Sequence, residues 1–222
     1  MGQYVNPSGE NFKKIRNSEI YVDKSDILKY INAIIDTNDR YICISRPRRF
    51  GKTMTVNLLS AYYCKDTDAD MLFSQLKYTN DAKFHTYANK YNVIKLTMSR
   101  FFNKKIDDIN SSFELLEKCI INDLSKIYPD FDYSTYSTLD SILYAIYEKT
   151  GIAFVFIIDE WDAIFRAYPE KSLAQEKYLD YLQIILKDQE YVALAYMTGI
   201  LPIKKYSSES SLNMFKEYTM TD

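Results

Sequence analysis

Residues 41–53 read Tyr41-Ile42-Cys43-Ile44-Ser45-Arg46-Pro47-Arg48-Arg49-Phe50-Gly51-Lys52-Thr53. The apolar run Tyr41–Ser45 has the character of a short buried strand, and the residues from Thr53 to Cys64 have that of a helix. A strand, a short basic loop and Gly-Lys-Thr at a helix start form the arrangement called a P-loop. In it, successive backbone N–H groups curl inward and, with the helix N-terminus, hold a polyphosphate. Gly51 would let the backbone approach closely, Lys52 would bring its ammonium to the β- and γ-phosphates, and Thr53 would offer a hydroxyl to Mg²⁺. The general pattern has a further glycine where this chain has Arg46.

About a hundred residues on, Phe154-Val155-Phe156-Ile157-Ile158 ends in Asp159-Glu160. A hydrophobic strand closing on two acids puts them at the C-terminal edge of a parallel sheet, where such folds bind ligands. Asp159 would hold the metal ion. Glu160 would orient the attacking water or take its proton, or else be structural. The run Tyr191–Met197 ends in Thr198, a polar side chain at a strand tip that would touch the γ-phosphate or the attacking water. The expected site is therefore Lys52, Glu160 and Thr198 for catalysis and Thr53 with Asp159 for the metal. Arg48, Arg49, Phe50, Gly51, Lys52, Thr53 and Met54 would hold the nucleotide. Arg46, Arg48 and Arg49 either add charge at the phosphates, contact a partner's nucleotide, or form a basic surface loop against acidic neighbours. Asp162 and Arg166 lie one helical turn apart and read as an i,i+4 ion pair, and Trp161 as packing. Tyr21 and Asp23 precede the loop, where related sheets often place adenine-contacting residues, and no sequence rule decides whether they are such residues here.

Strands expected at 41–45, 93–98, 153–159 and 192–198, and a fifth at Lys216 to Met220, alternate with helices. Near-continuous apolar strands in such an alternation argue for an α/β fold: a parallel sheet of about five strands with helices on both faces. Helices are expected at Ser25 to Ile35 with Ser25 as N-cap, at Asp68 to Leu76, at Ile106 to Ile127, at Leu139 to Glu148 and at Ser172 to Lys187. Ile109, Phe113, Leu116, Ile120, Leu124 and Ile127 recur at helical intervals, so 99–150 reads as a helical cover or insertion. Residues 1–40 read as a polar lead-in, an extended segment and a helix. Residues 206–211 are a loop or a helix start.

The 222 residues fit one domain, 1–222, with room for a substantial core. A net charge of −2 removes any whole-domain argument for nucleic acid. The single histidine, His85, and the absence of Cys-x-x-Cys exclude the usual zinc spacings. Cys43, Cys64 and Cys119 are an odd, scattered set that fits a reducing compartment. No run approaches the ~18 apolar residues of a membrane span, and the N-terminus lacks a signal-peptide pattern, so a cytoplasmic location is expected. No Asn-Lys-x-Asp guanine reader occurs. The 21 tyrosines either fill amphipathic positions or form base-stacking surfaces.

The lead-in Ile20-Tyr21-Val22-Asp23-Lys24, the loop Arg46 to Thr53, the segment Ile158-Asp159-Glu160-Trp161-Asp162 and Met197-Thr198-Gly199-Ile200 together resemble the AAA-ATPase-like family, P-loop proteins widespread in bacteria. RPRRFGKT is its specific element, since family members are similar in lacking the first glycine and carrying a basic loop. The resemblance implies an additional-strand P-loop sheet, ATP and Mg²⁺, and a Walker B role for the Asp159-Glu160 strand. A homo-oligomer or a protein partner is a further expectation, which the sequence itself does not decide. Family members often continue into a segment similar to restriction-type nucleases, which would link the chain to nucleic acid. Here no Pro-Asp is followed by Asp/Glu-x-Lys, and that segment is expected to be absent.

Overall fold

A computed structural model of the chain describes residues 1–103, 108–203 and 212–219. Along it run α1 (Glu10–Arg16), α2 (Ile27–Ile34), β1 (Tyr41–Ser45), α3 (Lys52–Tyr63), α4 (Ala69–Phe73), α5 (Phe84–Tyr87) and β2 (Asn92–Thr97). There follow α6 (Ile109–Ile127), α7 (Leu139–Thr150), β3 (Phe154–Asp159), α8 (Ala163–Ala167), α9 (Ser172–Leu186), β4 (Val192–Gly199) and β5 (Lys216–Tyr218). The five strands form one sheet in the order β2-β3-β4-β1-β5. Every named pair is parallel. This is the α/β architecture expected from the alternation, and β4 is the strand inserted between β1 and β3.

Each central strand buries both of its faces, which is why its sequence lacks polar alternation. Phe154, Phe156 and Ile158 of β3 point to one face, with Ile94, Leu96, Ala195 and Met197, under α6, α7, α8 and α9. Val155 and Ile157 point to the other, with Ile42, Val93, Leu194 and Tyr196, under α1 to α5. The region read as a helical cover supplies the first layer: Leu116, Ile120 and Leu124 are fully buried there, and Ile109, Phe113 and Ile127 pack at its margin. No helix among the described residues is long and apolar enough to cross a membrane.

Local chemistry moves several boundaries. The helix expected from Ile106 begins at Ile109, because the Asp108 carboxylate accepts the N–H groups of Asn110 and Ser111 and caps it. Ser25 is not the N-cap of α2. That position falls to Asp26, with no side-chain cap bond, while Ser25 Oγ accepts the N–H of Tyr78 at 3.1 Å. The helix expected over Asp68 to Leu76 ends at Phe73. The polar lead-in contains α1, which the sequence reading lacked; its buried Phe12 lies 4.9 Å from the ring of Phe73. So short a helix carries too few apolar positions to reveal a period. Residues 206–211, Ile106 and Met220 lie outside the described residues.

The outer edge of β2 is covered by the N-terminus. Val5 makes an antiparallel bridge to Ile94, and Lys95 N–H donates to Tyr4 O at 2.8 Å. Asn6 is fully buried, with φ +47°, and its Oδ1 accepts Val93 N–H at 2.7 Å. Asp123 of α6 secures the same segment by accepting the N–H of Tyr4 at 2.7 Å. An exposed edge that would otherwise recruit another strand is thereby closed. Asn6→Ala leaves a buried N–H unpaired and puts a Cβ residue without a compensating side chain in the left-handed region. It is expected to cost about 2–3 kcal/mol. At about 2–4 °C per kcal/mol for a chain of this size, a thermal melt should fall by roughly 4–12 °C.

Candidate nucleotide site

Parallel register aligns the strand tips. Ser45 stands beside Gly199 across β1 and β4, and Asp159 stands beside Thr198 across β3 and β4. The loop that leaves β1 keeps the pairing for one more bond, Arg46 N–H to Gly199 O at 3.1 Å, then curls. Arg49 has φ +70° and Gly51 φ +78°, both left-handed. Gly51 is required by its backbone conformation, which disfavours a side chain, and the tip of Lys24 approaches it so closely that a Cβ would lie 2.7 Å from Nζ and push that ammonium aside. That ammonium donates to Phe50 O at 3.1 Å from outside the loop. The chain then enters α3 at Lys52, whose first-turn N–H groups have no partner within the helix.

Asp159 is the point on which these elements meet. It is 4% exposed. Its Oδ2 accepts the Thr53 hydroxyl at 3.0 Å, and its Oδ1 accepts the Thr198 hydroxyl at 2.9 Å and the Glu160 N–H at 3.0 Å. One carboxylate thus ties α3, β3 and β4 together. Glu160 follows with φ +54°. In this turn Glu160 faces the cleft while Trp161 turns inward, fully buried, with its carbonyl accepting Tyr178 Oη at 2.7 Å. Gly199 admits the indole: a Cβ at that position would lie 2.5 Å from Trp161 Nε1.

Between the loop and the strand tips lies a cleft of about 470 Å³. Arg48, Arg49, Gly51, Lys52, Thr53 and Met54 form one wall, and Asp159, Glu160, Asp162, Gly199 and Ile200 the other. Most of the residues expected from sequence are therefore brought together. Phe50 is not in the lining and is half exposed, and Thr198 is fully buried and reaches the cleft only through Asp159. Lys52 Nζ donates to the carbonyls of Arg46 at 2.6 Å and Pro47 at 2.8 Å, its own loop. Desolvation lowers the Lys52 pKa, and the acids Asp159, Asp162 and Glu160 act against that shift.

Some of the surroundings carried no motif. Lys95 of β2 donates to Asn57 Oδ1, and the Asn57 amide donates to Thr53 O at 2.8 Å, supporting the residue that clamps Asp159. Burial lowers the Lys95 pKa, and nearby Asp159 opposes the shift. Its signal in the sequence was a lone charge inside an apolar strand. Asp162 and Arg166 do form the expected pair, Nε to Oδ2 at 3.2 Å, and Asp162 also lines the cleft. Asp23 is engaged elsewhere: its carboxylate accepts the N–H groups of Ser25 and Lys77 at 2.8 Å each. His85 lies on the surface, 3.6 Å from Asp70. The three cysteines are free, Cys43 and Cys64 buried and Cys119 partly so.

No curated protein sequence matches the chain. Among solved structures, that of C. elegans PCH-2 aligns with a TM-score of 0.41 at 15% identity, covering 94% of this chain and 46% of that one. The chain thus spans about half the length of that structure. The model of the family described as Predicted AAA-ATPase (AAA-ATPase-like) matches residues 8–208. With a match across nearly its whole length and a P-loop facing paired acids, the chain belongs to this AAA-ATPase-like family as an ATP-binding P-loop domain.

Proposed function

We propose that the domain is an Mg²⁺-dependent ATPase that hydrolyses ATP to drive or gate a partner activity. The observation that carries this reading is the double clamp on Asp159, which gathers the P-loop helix, the acidic strand and the Thr198 strand around one cleft. Thr53 Oγ1 and Asp159 Oδ2, 3.0 Å apart, are hard oxygen donors of the kind Mg²⁺ takes while keeping several waters. Bound there, the ion would neutralise charge on the phosphates. Lys52 would exchange the carbonyls of Arg46 and Pro47 for phosphate oxygens, a charge-assisted gain. The left-handed turn presents Glu160 to the cleft, where its carboxylate would orient water for attack. Thr198 would act by holding Asp159 in place. Arg48 and Arg49 stand in the cleft wall as further positive charge for a triphosphate. The coupled partner would be a second copy of the chain or another protein, the nuclease-like segment of the family being one form of it.

A second reading is a nucleotide-dependent switch without turnover. It is favoured by Lys52, whose ammonium is already satisfied by its own loop and would have to be released by the ligand.

Phosphate release by purified protein separates the two readings. MgATP at a hundred times its dissociation constant should stabilise the wild type by about 2.7 kcal/mol. In a melt of a chain this size that is roughly 5–11 °C. Lys52→Ala should abolish the shift. Glu160→Gln should retain it and lose about 10²–10³-fold in kcat, the scale of removing one preorganised contact. Wild-type turnover in Glu160→Gln would remove the role given to that carboxylate.

A further inference from the structure

Glu160 has a cationic neighbour that the reaction described so far does not use. Arg166 of α8 places Nη2 at 3.6 Å from Glu160 Oε2 and Nε at 3.2 Å from Asp162 Oδ2. Both are ion-pair distances without hydrogen-bond alignment. Asp162 is fully buried, and its Oδ2 accepts the N–H groups of Ile200 and Leu201 at 3.2 Å each, the first residues beyond β4. The two pairs are therefore unequal. A buried carboxylate holds its counter-charge firmly, because losing it leaves an uncompensated charge. The side chain of Glu160 is 42% exposed, and an exposed pair is weak and readily exchanged. The guanidinium fork can address both acids at once, which an ammonium cannot. The base of α8 is itself held: Trp161, Ile164 and Phe165 are all buried in the core.

We propose, on the hydrolytic reading above, that Arg166 is the positioning residue for Glu160. Anchored on Asp162, it sets the direction of the Glu160 carboxylate across the cleft and links that direction to the backbone after β4. Ile200 of that backbone also lines the cleft. Arg166 itself does not line the cleft.

The test measures ATP turnover and MgATP binding on the full chain for wild type, Arg166→Ala, Arg166→Lys and the Arg166→Ala/Glu160→Gln double variant. Arg166→Ala is expected to lower kcat about 10–100-fold, the scale of losing a side chain that orients a reacting group. Its dissociation constant for MgATP should stay within about twofold of wild type, the signature of an effect confined to the transition state. Arg166→Lys should regain part of the loss. In the Glu160→Gln background, Arg166→Ala should cost nothing more, because the residue works through that carboxylate. An unchanged kcat, weakened MgATP binding at unchanged kcat, or an equal loss in both backgrounds would overturn the proposal while leaving ATP hydrolysis intact. Wild-type protein that binds MgATP without turning it over would overturn the hydrolytic reading and this one with it. Should Arg166→Ala lose the wild-type circular dichroism spectrum, Arg166→Gln takes its place under the same criteria.

Discussion

The site depends on the Asp159 carboxylate, which is buried and satisfied on both oxygens by groups from α3, β4 and the turn after β3. A buried carboxylate without partners would be costly, so the hydroxyls of Thr53 and Thr198 and the Glu160 amide are conditions of placing it there. The sheet order makes this possible. With β4 between β1 and β3, the tip of one strand meets both the phosphate-type loop and the acidic strand, and parallel pairing gives their ends a common level. Had β1 and β3 been neighbours, no strand tip would stand between the loop and the acidic strand.

The same burial that defines the sheet explains what could be read in advance. Tyr41–Ser45, Phe154–Asp159 and Val192–Gly199 are buried on both faces, so their composition announces them without any period. Gly51-Lys52-Thr53 opens α3 after the loop that leaves β1, and Asp159-Glu160 falls at the tip of β3, both at the edge of the sheet where polar groups can meet solvent. The i,i+4 spacing made the pairing of Arg166 with Asp162 legible, but its reach to Glu160 depends on the left-handed turn at that residue, which no local propensity favours. Lys24 over Gly51 and the Asp123 hold on the N-terminus join residues far apart in the chain, and such contacts leave no local pattern. The capping role expected of Ser25 failed for a related reason: its hydroxyl was claimed by Tyr78, a residue brought near only by folding.

The cleft holds as many acids as cations in its walls, Asp159, Glu160 and Asp162 against Arg48, Arg49 and Lys52. Of these cations, Lys52 is held by the carbonyls of its own loop, while Arg166, behind the wall, faces the two acids Glu160 and Asp162. On the proposed reading, a triphosphate would compete with these carbonyls for the Lys52 ammonium, so that binding would be linked to its release. The strength of that link is governed by how firmly the carbonyls of Arg46 and Pro47 hold the ammonium.

Trp161 is the only tryptophan in the chain, and it sits between Glu160 and Asp162 with its indole against Gly199. Light absorbed at the red edge of the protein's ultraviolet band therefore interrogates this one turn, undiluted by any second indole. Emission colour and lifetime become an optical gauge of the acidic turn, readable without dyes or labels.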